Sequence, residues 1–365
     1  MNTCFTKKWL LLSPIMDTKV YVNDAVRLLR DLIRVPSVSR DEARAADVLA
    51  AAIRDYGYSP RREINNVWTV APDYDEARPT LLLNAHIDTV KPAATWTRDP
   101  FSPDVEGDTL YGLGSNDCGG GLVSLLQVFR ILALRQRTYN LIYLASAEEE
   151  VSGANGIRRA FPLLPEIDAA VVGEPTGLQP AVAEKGLMVL DITYQGKSGH
   201  AARGEGVNAI YKALDDIRWM RDYKFEKVSD FLGPTVMNVT MISAGTQHNV
   251  IPDKCSLVVD VRTNELYDNE EVFEFVRSRV KGECAARSFH LKSSGISMSH
   301  PLVRRCLDLG LTPFGSPTLS DQALMPFPSI KLGPGESSRS HSADEFVRIS
   351  EIERAIALYV ELLSV

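Results

Sequence analysis

"NLIYLASAEEEVSG", residues 140–153, decides how the chain is read. The apolar run from Leu141 to Ala145 is unbroken, as in a strand covered on both faces of a sheet. It stops at Glu148, Glu149 and Glu150, three carboxylates at the mouth of a core strand. Like charges crowded there repel one another and resist desolvation. Opening a solvated helix, they would be favoured by its dipole. Beside bound cations, the metal charge would compensate them instead. The residues at the ends of the other strands separate these readings.

Further strands are expected at "VWTVA" (67–71), "TLLLNA" (80–85) and "DAAVVG" (168–173), and helices at 23–34, 41–57 and 121–134. Ser39 and Glu42 form a capping-box pattern before the second helix. Strands alternating with helices, most of the strands continuously apolar, indicate an α/β sheet covered on both sides. From about Glu184 the pattern changes to strand, helix, strand, strand, helix, strand: 186–196, 208–222, 235–243, 255–263, 269–280 and "SFHLKS" (288–293). That order is the ferredoxin-like arrangement. Helix–strand–helix then resumes at 301–310, 328–333 and 350–363. The expected architecture is a discontinuous α/β domain, residues 17–183 and 294–365, holding an inserted α+β domain, residues 184–293.

Side chains able to bind a metal follow four of the strands. His86 and Asp88 follow "LLLNA", the glutamates follow "NLIYLAS", Glu174 follows "DAAVVG", and His341 follows "IKLGPGESSRS". Asp117 joins them from the glycine-rich "YGLGSNDCGGG" (111–121). Ligand sites of open α/β sheets lie at the carboxyl ends of the strands. Imidazoles and carboxylates converging there form a coherent donor set for a divalent metal.

The remaining composition limits the partners. The 365 residues are 45% hydrophobic and carry a net charge of −7 without long Lys/Arg runs. This argues against a nucleic-acid or anionic-membrane surface and for a small-molecule substrate. No stretch approaches the ~20 apolar residues of a membrane span. Five scattered cysteines without a C-x-x-C pair make neither a disulfide framework nor a thiolate zinc site, so a reducing cytoplasm is the expected setting. "MNTCFTKKWLLLSPIMDTKV" has a basic pair before a short, interrupted apolar run; an extension is expected there, with Met16 the natural initiator.

Seven segments resemble, in order, those of the M20 family of zinc aminoacylases and peptidases: "LLLNAHIDTV", "YGLGSNDCGGG", "ASAEEE", "VVGEPT", "GKSGHAA…GVNAI", "TQHNVIPDKCSLVVDVR" and "LGPGESSRSHSADE". Within the family they are similar to acetylornithine deacetylases and succinyl-diaminopimelate desuccinylases. The resemblance implies a zinc-peptidase-like catalytic domain with an inserted lid that also forms a homodimer. It implies two Zn2+ per chain, with Co2+ a possible substitute. His86 and Glu174 would bind one ion, His341 and Glu150 the other, and Asp117 would bridge them. Glu149 would be the general base and Asp88 would orient His86. His200 would reach a partner subunit's site, and Asn249 and Arg262 would hold the substrate carboxylate. Relatives often carry Met-Lys after the bridging Asp, where this chain has Cys118 and Gly119. The family has a cis peptide at that point, and Cys118 is expected to be a small buried side chain.

The implied activity is deacylation of an N-acyl amino acid. N-acetylornithine in arginine biosynthesis leads, followed by N-acetylcitrulline, N-succinylornithine and N-succinyl-diaminopimelate. A dipeptidase of the same family, a two-metal phosphoesterase and a non-catalytic binding relative are the alternatives.

Overall fold

The computed structural model of the protein describes residues 18–364, and the start expected at Met16 lies outside the described residues. Helices α1 (Lys19–Ile33) and α2 (Ala43–Asp55) lead into β1 (Asn66–Val70) and β2 (Thr80–His86). Helix α3 (Gly120–Ala133) precedes β3 (Asn140–Ser146), β4 (Ala169–Val172) and β5 (Ala181–Glu184). Then come β6 (Met188–Gln195), α4 (Ala209–Asp222), β7 (Val236–Ala244), β8 (Lys254–Arg262), α5 (Asn269–Arg279) and β9 (Glu283–Ala286). The chain closes with α6 (Pro301–Asp308), β10 (Ser329–Lys331) and α7 (Ile349–Leu363).

A nine-stranded sheet runs in the order Arg61–Glu63, β1, β3, β2, β4, β10, β5, Ser294–Gly295, with Phe314–Ser316 also joined to β5. Its middle four strands, β3, β2, β4 and β10, are parallel. Alternation along them covers both faces. Leu81, Leu83, Ala85, Leu141, Tyr143 and Ala145 enter the larger core, while Leu82, Ile142 and Leu144 enter the one opposite. Helix α3 is buried along most of its length between the sheet and helices α1 and α7. Each fully buried Leu or Ile there contributes about 1.5–3 kcal/mol.

Register places the site. His86 pairs with Ser146, and Asn84 pairs with Val172, so the chain beyond β2, β3 and β4 emerges at one level. Close approach of helix and sheet needs glycine at one point: a Cβ on Gly121 would lie 1.6 Å from the carbonyl oxygen of Gly173.

The second sheet is antiparallel, in the order β7, β8, β6, β9, with a core of its own that includes Leu190, Ile192, Ala213, Leu257, Val259 and Val276. Its order of elements is the expected β-α-β-β-α-β. Two local expectations differ. The last strand is Glu283–Ala286 rather than 288–293, because Glu283 to Ala286 pair with Thr193 to Leu190. The capping box does not form: Ser39 donates instead to Asp88 at 2.7 Å. Glu42, fully buried, accepts from the Arg40 and Glu148 backbone and from Asn65. Partners distant in sequence outcompete the local ones.

Candidate active site

The three glutamates diverge. Glu148 and Ser152 adopt left-handed backbone, φ 52° and 46°, a tight turn that reverses the chain around Glu149 and Glu150. Glu148 is buried and accepts from the backbone and side chain of Asn155 at 3.2 and 2.9 Å. Glu149 turns toward His86, with 4.0 Å between Oε2 and Nε2. Glu150 Oε2 lies 2.9 Å from His341 Nε2.

Asp117 stands between the two imidazoles. Its Oδ1 is 3.2 Å from His86 Nε2 and its Oδ2 is 3.6 Å from His341 Nε2. Glu174 Oε1 is 3.5 Å from the same His86 nitrogen. The peptide between Asp117 and Cys118 is cis. Gly114, at φ +73°, turns the chain into this loop where a Cβ would meet Thr89 Cγ2 at 2.5 Å. Ligand atoms of His86, Asp117 and Glu150 fall within 4.8 Å of one another, as do those of His86, Cys118 and Glu174. Burial pushes the Cys118 thiol up, and its sulfur accepts from the His86 backbone N–H at 3.2 Å.

Asp88 meets the other ring nitrogen of His86 and also braces the turn of the glutamates. The closest partner of His86 Nδ1 is the backbone carbonyl of Asp88, at 2.8 Å, while the carboxylate stands at 3.5 Å. That carboxylate accepts the backbone N–H groups of Glu149 and Glu150 at 3.0 and 3.1 Å, and so holds the turn that aims both. The carbonyl accepts the Nδ1–H and so fixes the His86 tautomer, with the Nε2 lone pair turned toward Asp117 and Glu174.

The crowding of acids shows in their titration. Burial, then repulsion from Asp117, pushes the Glu174 carboxyl up to about 8. Burial likewise carries Glu149 well above the usual carboxylate range. A hydrogen bond to Glu150 raises His341 to about 9. Two imidazoles and four acids, with one carboxylate facing both imidazoles, fit divalent-metal binding. A cavity of about 450 Å³ adjoins them, walled by Glu149, Glu174, Phe314, Thr318, Lys331 and His341 among others. Lys331 is buried, 3.2 Å from Glu184 and bonded to the carbonyl and hydroxyl of Thr318.

The structure brings together His86, Asp88, Asp117, Glu149, Glu150, Glu174 and His341. His200, Asn249 and Arg262 stand apart. Among the described residues, no hydrogen bond or ion pair joins them to that cluster. His200 pairs with Val250 in a two-residue ladder and caps the turn after it, accepting from Ala202. The Asn249 carbonyl accepts from Ala201. Arg262, at the end of β8, pairs with Asp260 at 3.0 Å.

Two acids beside the cluster went unnoticed in the sequence. Asp321 is buried and accepts from Ser146; burial raises its carboxyl to about 6. Glu345 is buried and accepts three backbone N–H groups of the glycine-rich loop. Glu345 lies inside one of the quoted segments, yet only its burial marks it out. Asp321 carries no local signal.

Residues 82–365 match the model of Peptidase family M20/M25/M40, and the chain belongs to that family. An acetylornithine deacetylase of Klebsiella pneumoniae is 31% identical over 88% of this chain and 92% of its own. One of Proteus mirabilis is 29% identical over 93% and 95%. Among solved structures, the aminopeptidase PepT of Bacillus cereus has a TM-score of 0.74, at 18% identity over 94% of this chain and 98% of that one. A dinuclear metal-binding M20 peptidase of Bacillus subtilis has 0.72, at 18% identity and the same coverage. These likenesses show the fold. The protein is a hydrolase acting on amide bonds, in a metal-dependent family.

Proposed function

We propose that this member of the M20 family is a dinuclear zinc amidohydrolase that deacylates an N-acyl amino acid, with N-acetylornithine the first candidate. Asp117 carries the reading: one carboxylate presents separate oxygens to His86 and His341. Relatives about 30% identical over nearly their whole length, named acetylornithine deacetylases, supply the substrate class.

His86 and Glu174 would hold one ion and His341 and Glu150 the other, with Asp117 between them; zinc and cobalt both suit these donors. The ions would polarise the acyl carbonyl and acidify a water at the site. Glu149 takes the proton from that water at its carboxylate and returns it to the departing amine. Asp88 keeps Glu149 and Glu150 aimed through their backbone N–H groups. Residues 184–293 act as lid and dimerisation domain, consistent with the exposed outer strand β7, where Met241 and Ile242 are 64% and 56% accessible. His200 would then serve the partner subunit's site, and Asn249 and Arg262 would bind the substrate carboxylate, Arg262 by exchanging Asp260 for it. Action in the cytoplasm, in arginine biosynthesis, follows from this substrate. No helix among the described residues is long and apolar enough to cross a membrane.

The test is amine release by zinc-loaded protein from N-acetylornithine, N-acetylcitrulline, N-succinylornithine, N-succinyl-diaminopimelate and a set of dipeptides. One N-acyl amino acid should be strongly preferred, with activity lost on chelation and restored by zinc. Cleavage of dipeptides alone would make the protein a peptidase. No turnover with two ions bound would overturn the deacylase reading.

A further inference from the structure

We propose that Glu345 is a positioning residue that locks together the two loops supplying Asp117 and His341, so that both ions are held or lost together. The inference rests on the dinuclear reading of the site and adds a residue that touches neither ion. Glu345 lies four positions after His341, in the same loop. Its Oε1 accepts the backbone N–H groups of Asn116 and of Asp117 itself, both at 2.8 Å, and its Oε2 accepts that of Gly114 at 2.9 Å.

The surroundings fix Glu345 in that place. The next residue, Phe346, pairs with Tyr111 at the start of the glycine-rich loop, and the Glu345 carbonyl accepts from Gly112 at 3.0 Å. Asp344 is tied to the backbone of Thr97 and Arg98, each at 3.0 Å. Asn116 closes the other side, donating to the Glu336 carbonyl and Ser340 hydroxyl and accepting from the Glu336 backbone. The two loops are thus bonded at both ends of the segment that carries Asp117. A bridging carboxylate must satisfy two centres at once, so rotation of its backbone misplaces both oxygens. Removing the Glu345 carboxylate strips three N–H groups of their acceptors in a buried place, and the loop must move to find others.

Glu345→Gln leaves one acceptor oxygen but sets an amide N–H2 against one of the loop's donors. Glu345→Ala leaves no acceptor. Zinc affinity of the metal-free proteins would be measured by competition with a chromophoric chelator, beside circular dichroism and the unfolding midpoint of each. Both ions should weaken together, by about 10–100-fold, with the secondary structure of Glu345→Gln intact. His341→Ala, by contrast, should weaken chiefly one ion. A control, Asp216→Asn, removes a buried carboxylate of the second sheet's core that accepts from Tyr194 and Lys281. It should lower the unfolding midpoint and leave zinc affinity unchanged.

Wild-type affinity at both sites in both Glu345 variants would overturn the proposal, as would loss of one ion alone. An equal loss of affinity in Asp216→Asn would reduce Glu345 to general stability and overturn it too. Wild-type protein that binds fewer than two ions would instead sink the dinuclear reading, and the coupling with it.

Discussion

At the scale of single residues, the run of three glutamates shows how much a sequence can say and where it stops. Charge crowding at one strand end left two readings open, the residues at the other strand ends favoured a cation, and resemblance assigned Glu149 as base and Glu150 as ligand. Which carboxylate faces which way depends on the left-handed turns at Glu148 and Ser152, and on Asp88 gripping the N–H groups of Glu149 and Glu150. Those contacts span 61 and 62 positions of chain and leave no local trace. Glu149 stands farther from His86 than Asp117 or Glu174 does, as suits a group that moves protons. Glu149→Ala should therefore keep its metal and lose at least ~100-fold in turnover. Metal analysis beside steady-state rates checks this, and near-normal turnover would remove Glu149 from the mechanism.

At the scale of elements, the long apolar strands and amphipathic helices were legible because their periodicity reports burial directly. Helix α2 was legible in extent but not in its cap, since Ser39 and Glu42 serve Asp88 and the Glu148 turn instead. Strand β9 was misplaced by five residues at its start, because its pairing with β6 has no hydrophobic alternation to mark it. The contact between α3 and β4 makes its own demand. A methyl group on Gly121 would collide with the Gly173 carbonyl, one residue before Glu174. Gly121→Ala should cost about 1–3 kcal/mol of stability and pull Glu174 out of line. A denaturant unfolding curve reads the first effect. An unchanged midpoint would mean that helix and strand are not packed so closely.

At the scale of the whole molecule, the cluster of His86, Asp117, Glu150, Glu174 and His341 lies apart from His200, Asn249 and Arg262. In one chain, His200 is exposed on a short ladder and Arg262 is occupied by Asp260. On the proposed dimer, one protomer's His200 would serve the other's site. Mixing inactive His200→Ala with inactive Glu149→Ala, under conditions that exchange subunits, should therefore restore activity well above either alone. Size-exclusion chromatography must show a dimer in the same sample. A dimer without restored activity would place His200 outside the partner's site.

The sequence by itself determined the α/β class, the six-element order around the second sheet and the presence of imidazoles and carboxylates at the strand ends. All three derive from periodicity and from which side chains stand at element boundaries, properties written locally along the chain. Tertiary structure alone decided how near Asp117 stands to each imidazole, that Asp88 grips the glutamate turn and that Glu345 closes the glycine-rich loop. Each of these is a hydrogen bond or a distance between segments far apart in sequence. A buried carboxylate and a solvated one are the same letter until the chain has folded around one of them.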